Sequence, residues 1–360
     1  GAEQRAARAG VALPAVLALV GGELVPRGVG TLPARRPHPM LTLLDGIRIL
    51  DMTAVILGPY ATQTLGDMGA EVIKVEPPEG DSMRPVPPIV DGVSALIANN
   101  NRNKRSVCLD TRSEEGRAAV RRLIPTCDVL IHNMRQRGMD KMGFDFDSVK
   151  ALNPRIVYCA AVGFGTDGPY AGRPAYDDII QSASGLAGLF GMRDGKPAIT
   201  PNIIADKISG LTVVYAVLAA LLHRERSGGA AIAIEVPMFE TMVAFLMNEH
   251  LAHATYEPDG AMGYHRVVAR DRRPYQTADG WIGVLPYSKE NWARALEIIG
   301  RADVKGPWFE DATERSRRMP ELYGILASEL PRKTSADWIA AFEAADIPCS
   351  KVNSPTDLLA

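Results

Sequence analysis

From Met40 onward, short apolar runs alternate with longer stretches whose apolar residues recur every three or four positions. IRILDM reads as a strand centred on 48–52, GPYATQTLGDMGA as a helix closed by Gly69, and EVIKVE as a second strand stopped by Pro77 and Pro78. SVCLD, DVLIHN, RIVYCAAV and AIAIEVP are further strands. SEEGRAAVRRLIPT, the stretch 135–152 and KISGLTVVYAVLAALLHR are helices. Ser113 is placed to cap the first of these, with Glu114 and Glu115 in the first turn, where the helix dipole favours carboxylates. Strands separated by about ten to twenty helical residues make βαβ units and a mostly parallel sheet, hence an α/β fold. Ligands of such sheets sit outside the carboxyl ends of the strands. That singles out four loops: 54–60, 77–84, 132–138 and 163–177.

After residue 200 the texture changes. FETMVAFLMNEHLAHATY is a Met-rich helix, 256–275 a polar linker, and 281–286 a strand. A helix from Lys289 to Gly300, the helix SADWIAAFEAADI and the strand IPCSKV complete a second, α+β unit. The chain therefore divides into an extension over 1–39, a large domain over 40–235, a linking helix and loop over 236–275, and a small domain over 276–350. The ten-residue run VALPAVLALV after EQRAARAG mimics a signal peptide. The stretch after it lacks a small-x-small cleavage site, so 1–39 reads as an extension or disordered tail.

Composition excludes several classes. The length of 360 residues suits about two domains, and 46% hydrophobic with 23% charged residues is ordinary for a folded chain. Lys+Arg 40 against Asp+Glu 42 gives a net charge of −2, so nothing global favours nucleic acid or an anionic membrane. Aromatics at 6% argue against a base-stacking platform. No apolar run reaches membrane-spanning length. Cys108, Cys127, Cys159 and Cys349 form no CxxC, which predicts free, mostly buried thiols and a reducing, cytoplasmic setting.

The candidate motifs have bland alternatives. GFGTDG at 163–168 matches GxGxxG after a strand. Pro174 disfavours the helix that should follow, and no acidic residue lies about twenty positions on. A turn-rich loop, or one that approaches some other ligand, fits better than a dinucleotide site. NNNRNKRS offers Arg102, Lys104 and Arg105 to phosphates, or is a solvated face. His250 and His253 lack the further ligands a metal needs, so no metal site is expected. Asp206, in PNIIADKISG, reads either as an N-cap or as an exposed, ionised carboxylate able to attack a thioester. Asp177 and Asp178 are its rivals, and each is also placed to cap a helix.

Several segments together carry a resemblance: LDGIRILDMT, GPYATQTLGDMGAEVIKVEPPEGD, NRNKRSVCLDT, CDVLIHNMRQRGMDKMGF, LNPRIVYCAAVGFGTDGPY, RPAYDDIIQSASGL and IIADKISGLTVVYAVLAALLHR. From about 44 to 360 the chain resembles the class III CoA-transferases, the group of formyl-CoA transferase, the carnitine CoA-transferase and the α-methylacyl-CoA racemases. The resemblance implies an interlocked homodimer, each chain having a Rossmann-like large domain and a small domain. It makes 351–360 the start of a return to the large domain that this sequence leaves incomplete. It implies acyl-CoA and carboxylic acid substrates, no tightly bound cofactor, and Asp206 as the catalytic aspartate. It puts CoA along Val55 and Ile56, Arg105, Asn133 and Met134, Lys141 and Arg173. Tyr176 and Asp177 become substrate contacts or a second carboxylate, and backbone donors at Gly163 and Gly165 become oxyanion stabilisers.

Three departures matter. Ile56 stands where some transferases have glutamine, and Pro77 where some have arginine, with Arg84 the nearest substitute. Tyr176 stands where the racemases carry histidine. A phenol with an ordinary pKa near 10 is a poor base at neutral pH, which favours CoA transfer over racemisation. A racemase and a non-catalytic CoA-binding protein are the alternatives.

Overall fold

A computed structural model describes residues 42–359; the tail expected over 1–39 lies outside the described residues. Two compact bodies emerge: 42–187 with 199–248, and 188–198 with 249–359.

The first body is built on six parallel strands: β1 (Arg48–Met52), β2 (Glu71–Glu76), β3 (Lys104–Cys108), β4 (Val129–His132), β5 (Val157–Val162) and β6 (Ile232–Pro237). They lie in the order β3-β2-β1-β4-β5-β6, every pairing parallel. This is the strand order of doubly wound dinucleotide-binding sheets, whose ligand crevice opens where the order reverses, between β1 and β4. The central strands are covered on both sides, so Ile49, Leu50, Val129, Leu130 and Ile131 are wholly buried. The edge strand β3 begins two residues earlier than the apolar pattern suggests. Its ladder with β2 runs from Val72–Lys104 to Glu76–Cys108, and an edge strand accommodates the polar Lys104 and Arg105.

Six helices matter for the site: α1 (Leu57–Asp67), α2 (Glu114–Leu123), α3 (Gln136–Met142), α4 (Asp177–Ala183), α5 (Ile204–Arg226) and α6 (Met238–His250). Ser113 does cap α2, its hydroxyl accepting the Gly116 amide at 3.0 Å. The single helix expected over 135–152 is two. Gly143, at φ +71°, ends α3, and Asp145 caps a second helix over Phe146–Leu152 by accepting the Ser148 amide.

Helix α5 has 23 residues and is apolar and long enough to cross a membrane by composition alone. Within this body it is a packed helix. Val213, Val214, Val217 and Leu221 are buried, and buried Arg224 near its end holds the partly exposed Asp128 at 3.0 Å. Leu211, Tyr215 and Leu222 stand exposed on another face.

The second body carries an antiparallel sheet of β7 (Tyr275–Gln276), β8 (Trp281–Val284) and β9 (Cys349–Lys351), ordered β9-β8-β7. Helices α7 (Lys289–Ile298), α8 (Met319–Glu329) and α9 (Ser335–Ala344) surround a core of Trp292, Tyr323, Trp338 and Phe342. Ser288 and Asn291 form a capping box on α7. Buried His250 uses Nδ1 to accept the Tyr264 amide at 3.1 Å, so this histidine fastens a turn. Cys127 and Cys159 are buried as expected, but Cys108 is exposed because it ends the edge strand.

Candidate active site

The loop leaving β1 carries backbone strain. Val55 has φ +72°, a conformation that costs a β-branched residue about 1–3 kcal/mol. Its neighbours are fastened on every side. The Ala54 amide donates to Asn133 Oδ1 at 3.0 Å, and Asn133 Nδ2 donates to the Ala54 carbonyl at 2.7 Å. Asn133 directly follows β4, so this reciprocal amide pair bridges the β1–β4 switch point. Ile56, in the N-cap place of α1, is buried and offers no polar group, and among the described residues no side chain caps that helix. A side chain at Gly58 would collide with Thr53, so only glycine lets the loop fold back onto α1.

Beneath the loop lie four buried charges. Asp51 accepts Lys104 Nζ at 3.0 Å, Thr62 Oγ1 at 2.7 Å and the Thr53 amide at 2.9 Å. Burial alone would raise its pKa, but the charges of Lys104 and Lys74 and the Thr53 and Thr62 hydrogen bonds outweigh it and hold the carboxyl well below the usual range. Lys104 is pushed down to about 8 by burial, with Asp51 opposing. Of the three cations that NNNRNKRS offered either to phosphates or to a solvated face, two are therefore already engaged within the fold. Lys104 is a core residue, and Arg102 pairs with Asp67, its Nε donating at 3.0 Å. Arg105 stays exposed, with Glu71 at 3.2 Å. Arg84 is no free substitute for the arginine absent at Pro77: its guanidinium grips Glu76 through two hydrogen bonds of 2.7 and 2.6 Å.

Asp206 corrects a second expectation. Helix α5 begins at Ile204 with Ile203 at the N-cap, so Asp206 sits inside the first turn and is 9% exposed. Asp177, opening α4, is the residue that serves this helix start: its Oδ1 accepts the Asp206 amide at 3.0 Å and its Oδ2 accepts Gln181 Nε2 at 2.6 Å. Burial, joined by the charge of Asp177, pushes the Asp206 carboxyl up to about 7. It is not the fully ionised, exposed group the sequence suggested. One turn further on, Gly210 lies against α1, where an added Cβ would stand 2.9 Å from the Leu57 carbonyl oxygen. This close approach packs the start of α5 against the first turn of α1, the helix that directly follows the strained loop at Val55.

The expectation of a free backbone donor at Gly165 is also corrected. Gly165 N–H donates to both oxygens of Glu240, at 3.1 and 3.2 Å, and Thr166 gives its amide and hydroxyl to Glu235 at 2.9 and 2.7 Å. The donors that a pyrophosphate or an oxyanion would use at Gly165 and Thr166 are taken by side chains from β6 and α6. Gly163 is needed for a different reason: a Cβ there would overlap that of Ala175.

The remaining candidates stand apart. Met134 is half-buried beside Asn133, and Lys141 is exposed in the last turn of α3. Tyr176 is 69% exposed at the start of α4. Arg173 is exposed and lies over the Tyr170 ring at 4.7 Å. Among the described residues none of these four shares a hydrogen bond or ion pair with Asp206 or with the loop at Val55. Asp51, Lys74, Asp81, Glu235 and Glu240 were not singled out from the sequence. The charges of EVIKVE and PPEGD were the available signal, but a lysine in a strand ordinarily reads as a solvated position.

The profile described as CoA-transferase family III matches residues 44–360. The chain is 34% identical to the probable fatty acyl-CoA transferase of Mycobacterium tuberculosis, covering 84% of this chain and 80% of that protein. It is 33% identical to the succinate–glutarate CoA-transferase of Agrobacterium fabrum, covering 91% and 83%. The crystal structure of a CAIB/BAIF family protein from Brucella suis superposes with a TM-score of 0.74 at 32% identity, covering 87% of this chain and 85% of that one. The chain belongs to CoA-transferase family III, and its enzyme class is CoA-transferase.

Proposed function

We propose that this enzyme moves CoA from an acyl-CoA to a carboxylic acid through covalent intermediates on Asp206, as an interlocked homodimer. The observation that carries the reading is a largely buried carboxyl, its pKa pushed up to about 7, in the first turn of a helix that packs through Gly210 against α1, which follows the loop at Val55. Such a group is about half ionised near neutral pH, and when ionised it is poorly solvated and more basic than an ordinary carboxylate. A carboxylate oxygen attacks the thioester carbonyl, the C–S bond breaks, and an aspartyl-acyl anhydride forms with release of CoA thiolate. The thiolate attacks the aspartyl carbonyl and frees the donor acid, leaving an aspartyl-CoA thioester. The acceptor carboxylate attacks that thioester and expels the thiolate, which then attacks the acceptor carbonyl to give the new acyl-CoA and regenerate Asp206. No redox partner is needed.

The names of the relatives support a dicarboxylate acceptor: succinate–glutarate in one case, oxalate in the acetyl-CoA:oxalate CoA-transferase of Acetobacter aceti, 31% identical over 88% of this chain. The exposed Leu211, Tyr215 and Leu222 of α5 support a partner subunit covering that face. The decisive test is mass spectrometry of enzyme mixed with an acyl-CoA and hydroxylamine. A modification at Asp206, with no turnover by Asp206→Asn on an acid panel, is the result expected. Unimpaired transfer by Asp206→Asn overturns the reading.

A further inference from the structure

Lys74 and Asp81 form an ion pair with side chains 2% and 1% exposed, Nζ to Oδ2 3.0 Å, off the hydrogen-bonding axis. A pair sealed in this way is poor value for stability. Both ions lose their hydration, and apolar residues of similar volume would commonly do as well. The position of the two groups gives the pair another use. Lys74 lies beside Asp51 in the β1–β2 ladder, and its ammonium reaches past the end of β1 to donate to the Thr53 carbonyl at 2.7 Å. Asp81 turns its other oxygen to the Val55 amide at 3.3 Å and the Met83 amide at 3.0 Å. Asp81 is itself set by its backbone amide, which donates to Glu76 at 3.0 Å, while Glu76 is gripped by Arg84. One carbonyl and one amide of loop 53–55, two residues apart and flanking Ala54, are thus tied to opposite ends of one buried ion pair.

We propose that Lys74 and Asp81 are positioning residues: their pair locks the left-handed turn at Val55 and so shapes the loop that receives CoA. The proposal rests on the reading that this loop meets CoA. Neither side chain is a catalytic residue. The pair acts through the backbone of Thr53 and Val55, and Asn133 fixes Ala54 between them. With the lysine or the aspartate gone, one of the ties that oppose the strain at Val55 is lost, and the loop shifts toward an ordinary extended shape that presents different groups.

The test uses the full chain and CoA itself, titrated by calorimetry, with steady-state kinetics on an acyl-CoA. Lys74→Met is expected to weaken CoA binding at least about tenfold and to raise KM for acyl-CoA by a similar factor, with kcat changed far less. Asp81→Asn, which keeps an oxygen for the Val55 amide, is expected to lose less than Asp81→Ala. Arg224→Met breaks another ion pair of a buried cation, near the far end of α5, and serves as the comparison for general destabilisation. It should lower the melting temperature while binding CoA within about twofold of wild type. If Lys74→Met is folded and binds CoA like wild type, the proposal is overturned. So too if Asp81→Asn and Asp81→Ala are indistinguishable, or if Arg224→Met loses as much affinity as Lys74→Met. Should Lys74→Met not fold, the two Asp81 variants decide. Wild-type enzyme that fails to bind CoA would sink the functional reading first, a separate outcome from wild-type binding that the variants preserve.

Discussion

The Asp206 amide donates to the Asp177 carboxylate at 3.0 Å, while the charges of the two carboxyl groups oppose each other. One residue therefore both fastens the start of α5 and hinders ionisation of the group proposed as nucleophile. Burial is the larger cause of the raised pKa, and the Asp177 charge adds to it. For the wild type, kcat/KM should rise with pH through about 7 as the Asp206 carboxylate forms. Asp177→Asn keeps an oxygen for the Asp206 amide and removes the charge. Its acid limb should lie at lower pH, yet above the range of an exposed carboxylate because burial persists. A pH–rate profile identical to wild type would show that Asp177 does not act on the reacting group.

The same raised pKa links stability to pH. The folded state holds the Asp206 proton more tightly than the unfolded chain does. The stability this contributes is fully present below the ordinary carboxylate pKa and is lost as pH rises through about 7. Asp206→Asn cannot lose a proton there. Its melting temperature relative to wild type should therefore climb between about pH 5 and about pH 8.5, by the equivalent of a few kcal/mol at most. Parallel melting curves at the two pH values would contradict a buried, protonated Asp206.

Gly163 and Ala175 fix how closely the loop after β5 approaches the segment entering α4. Gly163→Ala should cost about 1–3 kcal/mol, since the two methyl groups cannot share the space. Adding Ala175→Gly should recover much of that loss. Chemical denaturation of the four members of this cycle measures the coupling, and simple additivity would mean that the contact is not the cause.

Glu240 and Glu235 fasten the GFGTDG loop by its backbone donors. Glu240→Ala should speed amide hydrogen exchange at Gly165 by about fivefold or more and cost about 1 kcal/mol, the side chain being exposed. Glu240→Gln retains an acceptor and should stay near wild type in both measurements. Equal protection of Gly165 in all three proteins would remove the carboxylate from the account.

The alternation of apolar runs and helical periods made the α/β sheet, the cap at Ser113 and the long helix α5 legible in the sequence. The strand order was not readable from local pattern, because pairing between distant strands leaves no periodic trace. The helix break at Gly143 escaped because the apolar spacing continues on both sides of it. At the site, Asp206 was legible as a carboxylate placed where a helix begins, but its state was not. Burial and the nearness of Asp177 are tertiary facts, and together they raise the pKa of a carboxyl that the sequence offered as exposed and ionised. Lys104 shows the limit of charge patterning, since a basic run reads as a phosphate contact or a solvated face although its lysine lies in the core against Asp51. The two glutamates that fill GFGTDG lie about seventy residues downstream of it, beyond any spacing rule for that motif.

The side chain of Asn133 spans the two strand ends where sheets of this order usually cradle a nicotinamide dinucleotide. A ligand that enters this crevice therefore meets a rim already tied from one strand end to the other, and little of its binding free energy has to go into ordering that rim.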